Sequence, residues 1–289
     1  MFFTRCISAV VLVIIALVTI LSGGYILAAA LLAISCIGFY ELAKACKVHW
    51  GYTKVQTSGE KSDAISEGQK GINALEIVCY IAIFAFYGIT VFASDDAHVL
   101  LWAVLFFFSV LGVYVFTFPK YHANQIMAAY FCVLYAPVMF SFIYRIRMGE
   151  YGIYLVWMVF IASWISDTFA YLTGMLFGRH KLAPVLSPKK SIEGSIGGIA
   201  GSALAGALFG FLFSSKAGQE INMVVVCAVL GAFGSVISQI GDLAASAIKR
   251  NHEIKDYGHL IPGHGGIMDR FDSVIVTAPI IYFLVYYFV

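Results

Sequence analysis

Residues 241–272 read GDLAASAIKRNHEIKDYGHLIPGHGGIMDRFD, a densely charged stretch between two apolar runs. It holds four aspartates, two lysines, two arginines and three histidines, although only 12% of the chain is charged. Charge clusters beside membrane helices are commonly solvated loops or basic anchors. That interpretation accounts for the lysines and arginines, but it does not account for four aspartates beside a His-Gly-Gly sequence. The stretch therefore indicates a functional site.

The flanking runs belong to a chain that is apolar throughout. Its 289 residues are 61% hydrophobic with a mean hydropathy of +0.89, a composition that excludes a soluble globular domain of this size. Hydropathy predicts an all-α polytopic integral membrane protein with about nine transmembrane helices. The expected spans are roughly 5–22, 25–43, 74–94, 98–118, 123–145, 151–174, 195–213, 221–250 and 270–289. We expect the first to be retained, because it lacks a convincing small-residue cleavage site.

The lysines and arginines are distributed unequally between the two sides that these spans define. Fifteen of the 18 lie on the side of the N-terminus, and three lie on the other, namely Arg145, Arg147 and Lys216. Because loops rich in lysine and arginine stay in the cytoplasm, this bias predicts a cytoplasmic N-terminus. It also predicts that loops 175–194 and 251–268 face the cytoplasm from a multi-pass protein of the cell inner membrane.

Within the charged stretch, helical spacing groups the polar side chains. If residues 242–250 continue the preceding run as a helix, one face presents Ser235, Ser238, Asp242, Ser246 and Lys249. Asp269 and Asp272 lie one turn apart at the start of the last run, where the positive end of a helix keeps carboxylates ionised. Acids of this kind suit Mg²⁺, which prefers oxygen ligands and bridges substrate phosphates.

Basic residues and glycines of the same stretch suit a phosphate group. Four cationic side chains are available for pairing with phosphate: Lys249, Arg250, Lys255 and Arg270. Three glycines allow the backbone to approach a phosphate closely: Gly263, Gly265 and Gly266. The histidines lack the spacing of a zinc site. His264 could donate to a phosphate or brace the loop.

A further acid lies inside a predicted span. Asp167 occurs between Ser163 and Tyr171, and a carboxylate within a membrane costs roughly 2.5–3.5 kcal/mol on insertion scales. Such a residue is a functional candidate, although hydrogen bonding between helices would also explain it. With Gly174, these three residues recur every three or four positions and form a second polar stripe. The next loop ends in SPKKSIEG, residues 187–194, whose adjacent lysines suit an anion at a helix start or anionic lipid.

The charged stretch resembles the signature of the phosphatidate cytidylyltransferases, also called CDP-diacylglycerol synthases. The pattern S-x-[apolar]-K-R-x4-K-D-x-[small]-x2-[apolar]-[PGS]-x-H-G-G-[apolar]-x-D-R-[apolar]-D is matched without departure. Its fixed positions fall on Ser246, Lys249, Arg250, Lys255, Asp256, Gly258, Pro262, His264, Gly265, Gly266, Asp269, Arg270 and Asp272. Two further patterns often found in that family, D-[ST]-x-A-Y-x2-G and S-P-x-K-[ST]-x-E-G, stand at Asp167–Gly174 and Ser187–Gly194.

The resemblance implies a specific reaction and a set of residues. CTP and phosphatidic acid would give CDP-diacylglycerol and pyrophosphate. The resemblance implies these catalytic residues: Asp242, Lys249, Arg250, Asp269 and Arg270. It implies Mg²⁺ held by Asp242, Asp269 and Asp272, and it leaves a second cation open. The implied substrate-binding residues are Asp167, Lys189, Lys190, Ser191, Glu193, Ser246, Lys255, Asp256, His264, Gly265 and Gly266.

The same resemblance suggests how the chain is organised. Residues 1–150 would hold the N-terminal transmembrane helices and the polar, flexible loop 44–73. Residues 151–289 would form the catalytic transmembrane region. The expected partners are the lipid bilayer and the two substrates. Nucleic acid is not expected, and a homodimer is left open.

Two other functions account for part of the pattern. A secondary transporter would use Asp167 and Asp242 as a proton or cation relay, but it does not explain a basic cytoplasmic loop with His-Gly-Gly. A CTP-dependent lipid-alcohol kinase would share the nucleotide and membrane features. The chemical identity of the product distinguishes the three functions.

Overall fold

The structure, a computed structural model, describes residues 2–49, 52–57, 60–65, 72–93, 95–214, 222–263 and 265–289. His264, one of the predicted substrate-binding residues, lies outside the described residues. Lys216 and parts of the loop 44–73 also lie outside them.

Nine helices account for most of the described chain. They are α1 (Phe2–Ser22), α2 (Gly24–Ala45), α3 (Ala74–Phe92), α4 (Asp96–Phe116), α5 (Ala123–Met148), α6 (Gly152–Phe177), α7 (Ile192–Phe213), α8 (Met223–Asn251) and α9 (Met268–Phe288). Within the described ranges, the eight helices α2 to α9 are long and apolar enough to cross a membrane, and α1 contributes a shorter apolar helix, Val10–Ser22. The prediction of an all-α polytopic membrane protein is confirmed.

Two short antiparallel hairpins lie between the helices. Strand β1 (Tyr52–Thr57) pairs with β2 (Glu60–Ile65), and β3 (Lys181–Ala183) pairs with β4 (Ser187–Ser191). The predicted polar loop 44–73 therefore contains a β-hairpin, which the sequence analysis did not predict. Tyrosine, valine and threonine in β1 favour an extended chain, which explains the pairing.

The chain forms two compact units. One unit contains Met1–Leu27 and Met139–Val289, and the other contains Ala28–Val138. The charged stretch belongs to the first unit, and so do α6 to α9. The division predicted near residue 150 stays a prediction.

Local capping explains where the helices near the charged stretch begin. Helix α7 starts at Ile192 because the Oγ atom of Ser191 accepts the backbone N–H of Gly194 at 3.1 Å. The predicted start at residue 195 is therefore wrong, and Glu193 lies in the first helical turn. Helix α8 continues without a break to Asn251, which confirms that residues 242–250 are helical.

Helix α6 contains a widened turn directly before Asp167. Residues Ile161–Ile165 form a π-helical turn, a feature that often occurs at functional sites. The buried Ser163 in this turn donates to the Val159 carbonyl at 2.9 Å, and its Oγ atom lies 3.3 Å from Thr277 Oγ1. The prediction that Ser163 shares a polar stripe with Asp167 stays a prediction, and the Ser163 hydroxyl itself contacts Thr277 on α9.

Glycines allow α7 to approach α8 closely. A Cβ atom at Gly206 would overlap the backbone carbonyl of Cys227, and one at Gly231 would overlap that of Ser202. Small residues at such positions are typical of packed membrane helices.

We expect Gly206→Leu to lower the thermal midpoint of the purified protein, because the new side chain would force α7 and α8 apart. Overpacking of this kind costs about 1–3 kcal/mol or more. The matched control is Gly112→Leu in α4, where a Cβ atom would meet nothing within 4 Å. Fluorescence-detected thermal unfolding in detergent measures both variants, and equal midpoints would contradict the packing described here.

Candidate functional site

A cavity of about 420 Å³ lies among α6, the β3–β4 hairpin, the start of α7 and α8, a volume within the range of small-molecule sites. Its polar lining consists of Asp167, Ser187, Lys189, Lys190, Ser191, Ser195, Gln239 and Asp242. Its apolar lining includes Ala170, Tyr171, Met175 and Leu182. The cavity therefore places acids, bases and apolar surface together within one unit.

Two charged side chains meet in the cavity wall. The Nζ atom of Lys190, in β4, contacts Oδ2 of Asp242, on α8. The side chains of Lys190 and Asp242 are 26% and 29% exposed, so both reach the cavity space. Within the described part of the chain, the Nζ atom of Lys190 is shielded from solvent and makes no hydrogen bond besides its ionic contact with Asp242. Because an ammonium group carries three donors, Lys190 can bind an oxygen of a substrate as well.

Asp167 adds a second acid from another helix. Its side chain is exposed to the cavity and lies within electrostatic range of both Asp242 and Lys190. Lys189 is also exposed and lines the same cavity. Two acids from separate helices and two lysines from one strand therefore converge on this space.

The carboxylate of Asp269 organises the loop that follows α8. Its Oδ2 atom accepts the backbone N–H groups of Tyr257 at 2.8 Å and of Gly266 at 3.0 Å. Gly265 has φ +84°, and a Cβ atom there would lie 2.9 Å from the same Oδ2 atom, so this position requires glycine. The Asp269 side chain is only 3% exposed.

Lys249 connects this loop to the acids near the cavity. Its Nζ atom lies 3.1 Å from Asp269 Oδ1, 4.0 Å from Asp272 Oδ2 and 5.3 Å from the centre of the Tyr257 ring. Asp272 also accepts its neighbour's N–H, from Ser273, at 2.8 Å. Asp272 interacts electrostatically with Asp242 and Asp167, so the loop and the cavity form one charged region.

The predicted site residues separate into three groups. The cavity contains Asp167, Lys189, Lys190, Ser191 and Asp242. The loop cluster contains Lys249, Gly265, Gly266, Asp269 and Asp272. The remaining described residues do not line the cavity: Glu193, Ser246, Arg250, Lys255, Asp256 and Arg270. Four of these are exposed, namely Arg250, Lys255, Asp256 and Arg270.

Comparison with known proteins identifies the family. Residues 3–288 match a family model described as the cytidylyltransferase family. The chain belongs to the cytidylyltransferase family. It is 33% identical over 158 residues to a phosphatidate cytidylyltransferase of Staphylococcus saprophyticus, a match that covers 54% of this chain and 58% of that protein.

Two further relatives are similar to this chain to a comparable extent. The phosphatidate cytidylyltransferase of Staphylococcus haemolyticus is 36% identical over 158 residues, with 54% of this chain and 58% of that protein covered. The Bacillus subtilis protein of the same name is 31% identical over 190 residues, with 65% of this chain and 67% of that protein covered. The matched region thus spans little more than half the length of the staphylococcal relatives.

The carboxylates of this site are suitable ligands for a hard divalent cation whose remaining ligands would be oxygens of a substrate. Among the described residues, no three His, Cys, Asp or Glu side chains lie together as a metal-ligating group. Asp242 and Asp167 nevertheless line one cavity, and Mg²⁺ in phosphate-processing sites is held by one or two carboxylates plus substrate phosphates. The role of Asp269 as a ligand stays a prediction, since its oxygens accept three hydrogen bonds within the protein.

Gln239, Ser195 and Tyr257 are missing from the predicted site. Gln239 and Ser195 line the cavity, and the Tyr257 hydroxyl donates to the Ala245 carbonyl at 3.0 Å, which holds the loop against α8. A sequence signal existed for Gln239. It is an uncharged polar residue inside an apolar run, one turn before Asp242.

Glu193 holds the turn before β3. Its carboxylate accepts the N–H groups of Arg179 at 3.0 Å and His180 at 3.2 Å, and it lies 2.6 Å from Nδ1 of the His180 ring. These bonds join the first turn of α7 to the hairpin that carries Lys189 and Lys190. The predicted substrate-binding role of Glu193 stays a prediction.

We expect Glu193→Ala to loosen the hairpin, because the turn loses its shared acceptor. Hydrogen–deuterium exchange should become faster over residues 179–191 and remain unchanged in the middle of α8. The matched control is Glu253→Ala, which removes an exposed carboxylate after α8. If exchange in the hairpin of Glu193→Ala is unchanged, the hydrogen bonds of Glu193 do not hold this turn.

Proposed function

We propose that this protein transfers the cytidylyl group of CTP to phosphatidic acid and releases CDP-diacylglycerol and pyrophosphate. The observation that carries the proposal is the cavity in which Asp167 and Asp242 meet Lys189 and Lys190 beside apolar surface. The signature residues of the sequence and the names of the relatives support the same reaction.

The chemistry requires positioning and charge neutralisation more than proton transfer. An oxygen of the lipid phosphate forms a bond to the α-phosphorus of CTP while the bond from that phosphorus to the β-phosphate oxygen breaks. Pyrophosphate leaves with the bonding electron pair. A phosphate monoester has a second pKa of about 6, so the lipid nucleophile is already largely dianionic at neutral pH. Lys189 and Lys190 would balance phosphate charge in this step.

The apolar side of the cavity favours a lipid substrate. Tyr171 and Met175 line it and are 70% and 62% exposed on α6. A helix that crosses a membrane presents such side chains to acyl chains. A phosphate in the polar part of the cavity could therefore remain attached to a lipid whose chains lie along α6.

We propose Mg²⁺ as the cofactor, with Asp242 as its main protein ligand and Asp167 and Asp272 as supporting acids. When bound, Mg²⁺ would withdraw charge from the phosphate oxygens. Lys190 contacts the Asp242 oxygen that would serve as a ligand. We therefore expect Lys190 to turn toward a phosphate when Asp242 binds the ion.

We also propose that the cavity faces the cytoplasm and that the protein resides in the cell inner membrane. The two cavity lysines belong to the side that holds 15 of the 18 lysines and arginines. Such loops remain cytoplasmic, where CTP is available. A homodimer stays a prediction.

Purified protein, phosphatidic acid and CTP labelled at the α-phosphate test the proposed reaction. The label should enter the lipid fraction and unlabelled pyrophosphate should be released in equal amount. Transfer of a γ-phosphate label to a lipid alcohol would instead identify a kinase. Cation uptake into proteoliposomes without any labelled lipid would identify a transporter, and either result would overturn the proposal.

A further inference from the structure

A single amide side chain joins three helices beneath the cavity. Gln239 on α8 is 7% exposed. Its Oε1 atom accepts a hydrogen bond from Ser195 Oγ, and its Nε2 atom donates to the Ser195 carbonyl at 3.2 Å. The same Nε2 atom lies 3.4 Å from Ser235 Oγ and 3.5 Å from Ser166 Oγ, and those two hydroxyls are 2.7 Å apart.

The partners of Gln239 lie next to the charged groups of the cavity. Ser166 directly precedes Asp167 on α6, and Gln239 precedes Asp242 by three residues on α8. Ser195 lies at the start of α7, four residues after Ser191 at the end of β4. The amide therefore connects the helices that carry the two cavity acids with the helix that follows the lysine-bearing strand.

Glycines lie at the contact between α6 and α7 near Gln239. At Gly194 a Cβ atom would lie 2.7 Å from the Ala170 carbonyl, and at Gly198 it would lie 2.9 Å from the Ser166 carbonyl. Helices α6 and α7 thus approach through glycines, with no interlocking side chains at these two positions. Elsewhere in this interface the side chains of Thr173 and Phe169 pack against Gly197 and Gly201. The hydrogen bonds of Gln239 add a directional polar connection to this packing.

We propose that Gln239 is a positioning residue that sets the spacing between the Asp167 and Asp242 carboxylates. Gln239 does this through α6 and α8 and need not touch a substrate. The consequence for catalysis rests on the proposed function, because that reaction requires both acids at a fixed separation. Loss of residues that orient metal-binding side chains typically costs about 10–100-fold in metal affinity or activity.

The first test compares Gln239→Met with a matched control, Ser202→Ala. Methionine has a similar length but cannot form the hydrogen bonds. Ser202 is buried on α7 and donates to the Ile161 carbonyl of α6 at 3.3 Å, so its loss removes one hydrogen bond between two of the three helices that Gln239 joins, away from the cavity. In cytidylyl transfer we expect Gln239→Met to raise the half-maximal Mg²⁺ concentration by about 10-fold.

Ser202→Ala should leave that Mg²⁺ concentration unchanged, although both variants should lower the thermal midpoint. A Gln239→Met protein with a lower midpoint but the Mg²⁺ dependence of the unaltered protein would show a merely structural role and overturn the proposal.

The second test does not depend on the reaction. In a protein whose native cysteines are replaced, Asp167→Cys and Asp242→Cys are crosslinked with bis-methanethiosulfonate reagents of increasing length. With Gln239 present we expect one spacer length to dominate, and with Gln239→Met we expect several lengths to react. The same spacer preference in both proteins would overturn the positioning role. If the unaltered protein transfers no cytidylyl group, the proposed function fails while this crosslinking result still decides the role of Gln239.

Discussion

Asp242→Asn is expected to reduce cytidylyl transfer by about 1,000-fold, equivalent to roughly 4 kcal/mol of transition-state stabilisation. The substitution keeps the size of the side chain but removes the anionic oxygen that contacts Lys190. An amide binds a divalent cation poorly compared with a carboxylate, and it leaves the Lys190 charge in the cavity wall without its partner. Both the proposed metal site and the electrostatic balance of the cavity would be lost.

The measurement is the initial rate of label transfer from CTP, together with the thermal midpoint of each protein. Glu253→Gln is the control, because it removes an exposed carboxylate from the segment after α8 and should retain full activity. The Asp242 side chain is 29% exposed, so the folded protein should tolerate asparagine with little change in midpoint. An Asp242→Asn protein that keeps more than a tenth of the normal rate would refute the assigned role.

The membrane helices could be predicted well because the length of an apolar run directly reflects the thickness of the membrane. The helix expected at roughly 221–250 is observed at Met223–Asn251, and the one expected at roughly 270–289 is observed at Met268–Phe288. The β3–β4 hairpin could not be predicted in this way. Its geometry depends on hydrogen bonds from the backbone of Arg179 and His180 to Glu193, which exist only when the first turn of α7 is in place.

The sequence could indicate which residues belong to the candidate site, but it could not predict which groups their side chains contact. The signature identifies Asp269 as important, yet only the folded loop presents the N–H groups of Tyr257 and Gly266 to its carboxylate. Similarly, a constant helical period does not predict the π-helical turn at Ile161–Ile165 or the contact of Ser163 with Thr277. Departures of this kind arise from tertiary contacts that a periodic pattern cannot represent.

One exception to the charge distribution has a local explanation. Arg147 is among the three bases on the side opposite the N-terminus. Its Nε and Nη2 atoms donate to the carbonyls of Ile20 at 2.8 Å and Leu21 at 3.2 Å, at the end of α1. The guanidinium group therefore caps a helix, which is a reason for a base at this place that does not concern membrane orientation. The bias of the other bases then supports the proposed orientation more strongly.

Lys249→Met is expected to cause a large loss of stability. Lys249 is 16% exposed, and it faces the carboxylates of Asp269 and Asp272, which are 3% and 13% exposed. Removing one partner from a buried charge pair typically destabilises a protein by about 3–5 kcal/mol, because the remaining charge is left uncompensated. Thermal unfolding should show a clear decrease, whereas Lys44→Met, which removes an exposed lysine, should not.

The double substitution Lys249→Met with Asp269→Asn separates the structural contribution of Lys249 from its proposed contribution to catalysis. Asparagine retains an oxygen that can accept the N–H groups of Tyr257 and Gly266, and it removes the Asp269 charge, one of the two carboxylate charges that Lys249 faces. We therefore expect the double variant to recover part of the lost thermal midpoint. Cytidylyl transfer should stay low, because neither the cation proposed to neutralise phosphate nor the Asp269 carboxylate is present. Recovery of both stability and activity would mean that Lys249 and Asp269 serve only to hold the loop.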